Sequence, residues 1–108
     1  MPETPRTIDP RLLWSHVESL AQVPRPAGSE ELERARQYVT GQLEAAGCHV
    51  SRHPFTVSAE PGQSLTGINL VARWPGHFSG SAPRLVVGAH LDSTPETPGA
   101  DDNASAVA

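Results

Sequence analysis

The sequence predicts an α/β fold in which two helices precede about three strands, and three observations carry that reading. Two stretches repeat apolar residues at helical spacing between recognisable caps. After Gly47 the pattern changes to a period of two, as in a half-buried strand. A last apolar run, residues 85–89, is hydrophobic on both faces, which suits a central strand covered on both sides of a sheet.

Each element follows from local chemistry. Asp9 before Pro10 reads as an N-cap with proline at the first helical position, opening a helix whose Leu12, Leu13, Val17 and Leu20 share one face and which is expected to stop by Pro24. The stretch from Val23 to Ser29 holds too many breakers for regular structure. Ser29 then caps a second helix, with Glu30 and Glu31 in its first turn, where negative charge favours the helix dipole. Leu32, Ala35, Val39, Leu43 and Ala46 form its apolar stripe, and Gly47 supplies the left-handed stop. In the following strand His49, Ser51, His53, Phe55 and Val57 face one way, and Pro54 marks it as an edge strand. A polar turn around Glu60 to Gly62 leads toward a second strand, expected over residues 68–74, and a loop is expected over residues 79–83. The third strand, residues 85–89, is followed by the loop that holds the polar groups, and the chain stops at Ala108 where a crossover helix is expected to begin. The 108 residues thus read as part of one domain, truncated at the C-terminus.

Composition narrows the partners. Eight Lys and Arg against twelve Asp and Glu give a net charge of -4 with no basic stripe, which argues against nucleic acid. No apolar window approaches the length of a membrane span, and the polar, Pro-rich N-terminus lacks the pattern of a secretory signal, so a cytoplasmic location is expected. The lone Cys48 has no partner for an internal disulfide or a structural zinc site and reads as a buried, inert thiol.

The chemistry is concentrated in Gly88-Ala-His90-Leu-Asp92-Ser93 and Gly99-Ala-Asp101-Asp102-Asn103-Ala-Ser105. In α/β sheets ligands bind beyond the carboxyl ends of strands, so a His and an Asp leaving residues 85–89 point toward a cleft. Two residues apart, Asp92 can hold one imidazole nitrogen of His90 while the other binds a metal. Pro95 and Pro98 stiffen a return path that brings Asp101 and Asp102 back over the strand end.

GAHLDS followed by PGADDNAS resembles the paired signature of the M28 zinc peptidases. The likeness continues upstream in Pro24-Arg-Pro-Ala-Gly-Ser-Glu30, in the second helix and in Asn69-Leu-Val-Ala-Arg-Trp-Pro-Gly76, so it covers nearly all of the chain from Leu12 onward. It implies a doubly wound zinc-exopeptidase sandwich, here partial, and an aminopeptidase acting with two zinc ions on a peptide substrate with a free N-terminus. It also implies residue roles: His90 binding one zinc, Asp102 bridging both, Asp92 acting catalytically by orienting His90, and a cis peptide between Asp102 and Asn103. Asp101 takes no role. The family's Glu-Glu pair, a later acidic ligand and a distant His have no counterpart in these 108 residues, and Ala106 stands where the family usually has glycine. Zinc sites need three or four protein ligands, so the chain alone is expected to be inactive.

Other residues weigh differently. A lone His-x-Asp usually forms a surface hydrogen bond, and it is the second motif that distinguishes this one. Glu30-Glu31 imitates the family's catalytic pair but opens a helix upstream of every strand. His49 and His53 lie about 13 Å apart along a strand, too far to share an ion. His16 and His77 have no partner at ligand spacing and read as solvated. Asn103-Ala-Ser105 fits a glycosylation sequon only by coincidence with the metal motif. Alternative readings are a glutaminyl cyclase-like acyltransferase, a non-catalytic domain of the same fold, and an inactive fragment; oligomeric state is not encoded in any feature of the sequence.

Overall fold

The computed structural model describes residues 7–75 and 85–108, in the order helix, helix, strand, strand and a closing turn. Helix α1 spans Pro10–Leu20 and is capped by Asp9, whose side chain accepts from the Arg11 amide at 2.9 Å. It ends earlier than Pro24 requires. Helix α2 spans Glu30–Ala45, with Ser29 Oγ accepting from the Leu32 amide at 3.1 Å. Past Ala45 the chain turns at Gly47, φ 97°; the Gly47 amide donates to Glu44 and the Cys48 amide to Leu43. This paired arrangement satisfies carbonyls that the helix end leaves open, and the positive φ is what selects glycine there.

Strand β1, His49–Glu60, pairs antiparallel with β2, Gln63–Arg73, in a hairpin that turns at Pro61 and Gly62. Proline followed by a glycine at φ 84° suits a turn with positive φ at its third position. β2 begins five residues before the expected Ile68, because Gln63 to Gly67 pair across from Phe55 to Glu60 although their own sequence is polar and Gly-containing. The Phe55 ring lies over Gly67, in space that a Cβ at that position would occupy. Glu33 joins α2 to the sheet by bonding Arg52 of β1 while Arg36 approaches it at 3.2 Å. The two guanidinium groups, Arg52 foremost, hold the Glu33 carboxyl below its ordinary value.

The core is small and lies between the helices and the closing turn. Leu20, Ala35 and Ala104 are buried together, flanked by Val17, Tyr38, Val39 and Leu91. Of the apolar stripe of α1 only Leu20 is buried, and Leu12 and Leu13 are exposed. His16, expected to be solvated, instead bonds the Tyr38 hydroxyl through Nδ1 at 2.7 Å and helps clamp α1 to α2.

The expected third strand is corrected by this structure. Residues 85–89 carry no strand pairing among the described residues, and Leu85, Val86 and Val87 are 90%, 87% and 86% exposed. A strand exists only through hydrogen bonds to a neighbour, and an apolar run that suits the centre of a sheet cannot form one by itself. The described sheet is therefore the antiparallel pair alone, and with the two helices that precede it the described residues form the expected α/β order of helix, helix, strand and strand. A short helical turn, Ser105–Val107, does begin where a crossover helix was expected. Residue 77 and the loop expected over 79–83 lie outside the described residues. Among the described residues no helix is long and apolar enough to cross a membrane.

Candidate metal centre

The two motifs are brought together by the packing of Ala104, which is fully buried against α1 and α2 and draws the turn Ala100–Ala104 onto the helices. That turn starts at Gly99, φ 64° and ψ 49°, and is closed by the Ala104 amide donating to the Gly99 carbonyl at 3.0 Å. The peptide bond between Asp102 and Asn103 is cis, as the family resemblance implies. Gly99 is constrained twice over: its φ is costly for any other residue, and a Cβ there would overlap the Asp102 carbonyl oxygen. Gly99→Ala in the complete gene product is therefore expected to lower stability by about 1–2 kcal/mol or more. Equilibrium denaturation checks this, and an unchanged midpoint would show that the turn does not need this conformation.

His90 stands between the two aspartates the sequence singles out. Its Nδ1 lies 3.2 Å from Asp92 Oδ1 and 3.1 Å from the Asp92 carbonyl oxygen, and its Nε2 lies 2.9 Å from Asp102 Oδ1. All three residues are solvent-exposed, His90 by 54% and Asp102 by 73% of their side chains. The Asp92 carbonyl, accepting from Nδ1, is the main reason the imidazole is held above its ordinary value, and the Asp102 and Asp92 carboxylates push the same way. With the Nδ1 proton committed to Asp92, the Nε2 lone pair of a neutral ring faces a carboxylate oxygen. That contact needs a proton or a cation between the two atoms.

A divalent metal suits this donor pair. Imidazole nitrogen and carboxylate oxygen are ordinary zinc ligands, and at tetrahedral angles with bonds near 2.0 Å two such atoms lie about 3.3 Å apart. A small outward rotation of the exposed side chains reaches that spacing. Asp92 lies on the Nδ1 side and does not converge with Nε2 and Asp102, and among the described residues no group of three or more His, Cys, Asp or Glu is arranged to hold a metal. Asp101 is exposed beside an apolar groove lined by Leu13, Trp14, Val17 and Ala100, while the aspartates that approach the His90 ring are Asp92 and Asp102. His53 instead meets Ser51 Oγ at 2.9 Å on the surface of β1.

The geometry includes a residue that sequence reasoning passed over. Arg25, between Pro24 and Pro26, is 2% exposed, and its Nε donates to the carbonyl of Leu91, the residue between His90 and Asp92. Its main-chain amide donates to Ser93 Oγ at 2.7 Å, and Ser93 returns a bond from its own amide at 3.0 Å. The only local signal was an arginine confined by two prolines.

Comparison with known proteins places this arrangement in a class. Residues 69–108, which hold the end of β2 and both motifs, match the model of peptidase family M28. The chain is 38% identical over 81 residues to leupeptin-inactivating enzyme 1 of Streptomyces exfoliatus, a match covering 75% of this chain and 17% of that protein. It is 31% identical over a 119-residue alignment to the uncharacterized protein YfbL of Escherichia coli K12, covering 100% of this chain and 34% of that one. No solved structure matches significantly. These matches support an assignment to the M28 peptidase family, and the chain spans between about a sixth and a third of the length of these two relatives.

Proposed function

We propose that the chain forms the amino-terminal part of a zinc-dependent aminopeptidase, in which His90 and Asp102 hold metal and Asp92 orients His90. The observation that carries this reading is the placement of His90 with Nδ1 on Asp92 and Nε2 2.9 Å from Asp102. The Asp92 carboxylate and carbonyl accept from Nδ1–H, which fixes the tautomer and leaves Nε2 as the ligating atom. Asp102 offers a negative oxygen on the same side, and as a carboxylate it has a second oxygen with which to bridge a second ion. Bound zinc supplies a water acidic enough to give hydroxide near neutrality and a Lewis acid for the scissile carbonyl. The base and the remaining ligands belong to residues outside this sequence, as the partial coverage of the relatives allows. The substrate proposed is a peptide with a free N-terminus.

Aminoacyl p-nitroanilides and their N-acetylated counterparts test the proposal on the complete gene product. The free-amine substrates are expected to be cleaved, with activity lost to a zinc chelator and restored by zinc. Equal cleavage of the acetylated substrates would exclude an aminopeptidase, and hydrolysis indifferent to the chelator would exclude the metal.

A further inference from the structure

Arg25 is bonded to both of the loops that deliver the ligand candidates. Its Nη1 donates to the carbonyls of Leu20 and Pro98, each at 2.5 Å, and its Nε to the Leu91 carbonyl at 3.0 Å. Leu91 is flanked by His90 and Asp92; Pro98 precedes Gly99, where the turn toward Asp102 begins. Leu20 ends α1 and sits in the core. One planar group with fixed N–H directions thus ties the His90 loop, the Asp102 loop and the helix they rest on. Its Nη2 is buried without a hydrogen-bond partner among the described residues and stands 3.3 Å from where a Gly99 Cβ would project, so the guanidinium also closes against that hinge.

Such a group is an expensive way to fill space. Burying a charge carries a desolvation penalty that an apolar residue of similar volume avoids. Burial lowers the Arg25 pKa, and the Asp92 carboxylate offsets part of that effect. An apolar side chain cannot hold three carbonyls from three segments in register, and lysine, a single point donor, cannot reproduce the fork.

We propose that Arg25 is the positioning residue of the metal centre, setting the separation of the His90 and Asp102 loops; this rests on the reading of those two residues as ligands. The test uses the complete gene product and its Arg25→Lys and Arg25→Ala variants. Zinc affinity, measured by competition with a chromophoric chelator, is expected to fall about 10–100-fold, as it does when other outer partners of a metal site are lost. In the metal-free protein, amide exchange is expected to quicken at Ser93 and Ala104 while Ala46 and Cys48, at the end of α2, keep their rates. Millimolar guanidinium is expected to tighten zinc binding in Arg25→Ala and to leave His90→Ala unaffected. If Arg25→Ala fails to fold, Arg25→Lys carries the comparison. Unchanged zinc affinity overturns the proposal, and so does exchange that quickens everywhere with no response to guanidinium. A wild type with no His90-dependent zinc overturns the ligand reading instead, and the exchange pattern then still decides whether Arg25 orders the two loops.

Discussion

Replacing His90 or Asp102 by alanine in the complete gene product is expected to remove bound zinc and peptide hydrolysis together. The two donor atoms converge at 2.9 Å from opposite motifs, and each is one of very few ligands a zinc ion can have. Loss of either leaves an incomplete set and a fall in affinity well beyond about 100-fold, the upper end of what changes to outer partners produce. Asp92→Asn is expected to be milder, nearer 10-fold, because the Asp92 main-chain carbonyl also accepts from Nδ1 and remains in place. Zinc content by atomic absorption and turnover on the same samples decide the matter, and full zinc with full turnover in His90→Ala would remove the assignment. The pH dependence has a definite sign. A protonated imidazole cannot ligate, and the surrounding oxygens hold the His90 pKa above its ordinary value, so affinity weakens as pH falls through a point above about 6.5.

What the sequence made legible is what is encoded within a few residues. Asp9 with Pro10, Ser29 and Gly47 each cap or end a helix through bonds to the next turn, and each does so in the structure. The site motifs are legible for a similar reason, since His90 and Asp92 are two apart and the second motif returns after a short, proline-stiffened loop. The first half of β2 is not legible in the sequence, because the pairing of Gln63 to Gly67 is dictated by β1 and by the turn, not by their own polarity. The role of Arg25 is hidden from the sequence because its three side-chain bonds reach carbonyls 5, 66 and 73 positions away, and a residue satisfied by distant main chain leaves no periodic or spacing signature. Residues 85–89 fail in the opposite sense. Their pattern specifies an environment with a sheet neighbour on each side and layers above and below, and the described residues supply none of these.

That same exposed run governs the behaviour expected of the 108 residues expressed alone: no peptide hydrolysis, no tight zinc binding and poor solubility. Leu85, Val86 and Val87 are almost wholly exposed, and the apolar faces of Leu12, Trp14 and Leu65 are more than half exposed as well. Exposed apolar side chains beside an unpaired backbone edge favour association with other copies over cooperative folding. The core that must oppose this consists of Leu20, Ala35 and Ala104 with a few half-buried neighbours, while ordering each residue costs about 1–2 kcal/mol in backbone entropy. Zinc offers little help. With only His90 Nε2 and the Asp102 carboxylate converging among the described residues, an ion keeps most of its water and gains a small part of the roughly 10–16 kcal/mol seen for complete structural sites. Gel filtration, thermal unfolding and a panel of aminoacyl chromogenic substrates with added zinc are the measurements. Aggregation or a broad, non-cooperative transition without turnover is the expected outcome. A monomer that unfolds cooperatively and cleaves these substrates in a zinc-dependent way would show that the 108 residues complete a site by themselves, and turnover only in an oligomer would show that a second copy supplies the missing ligands.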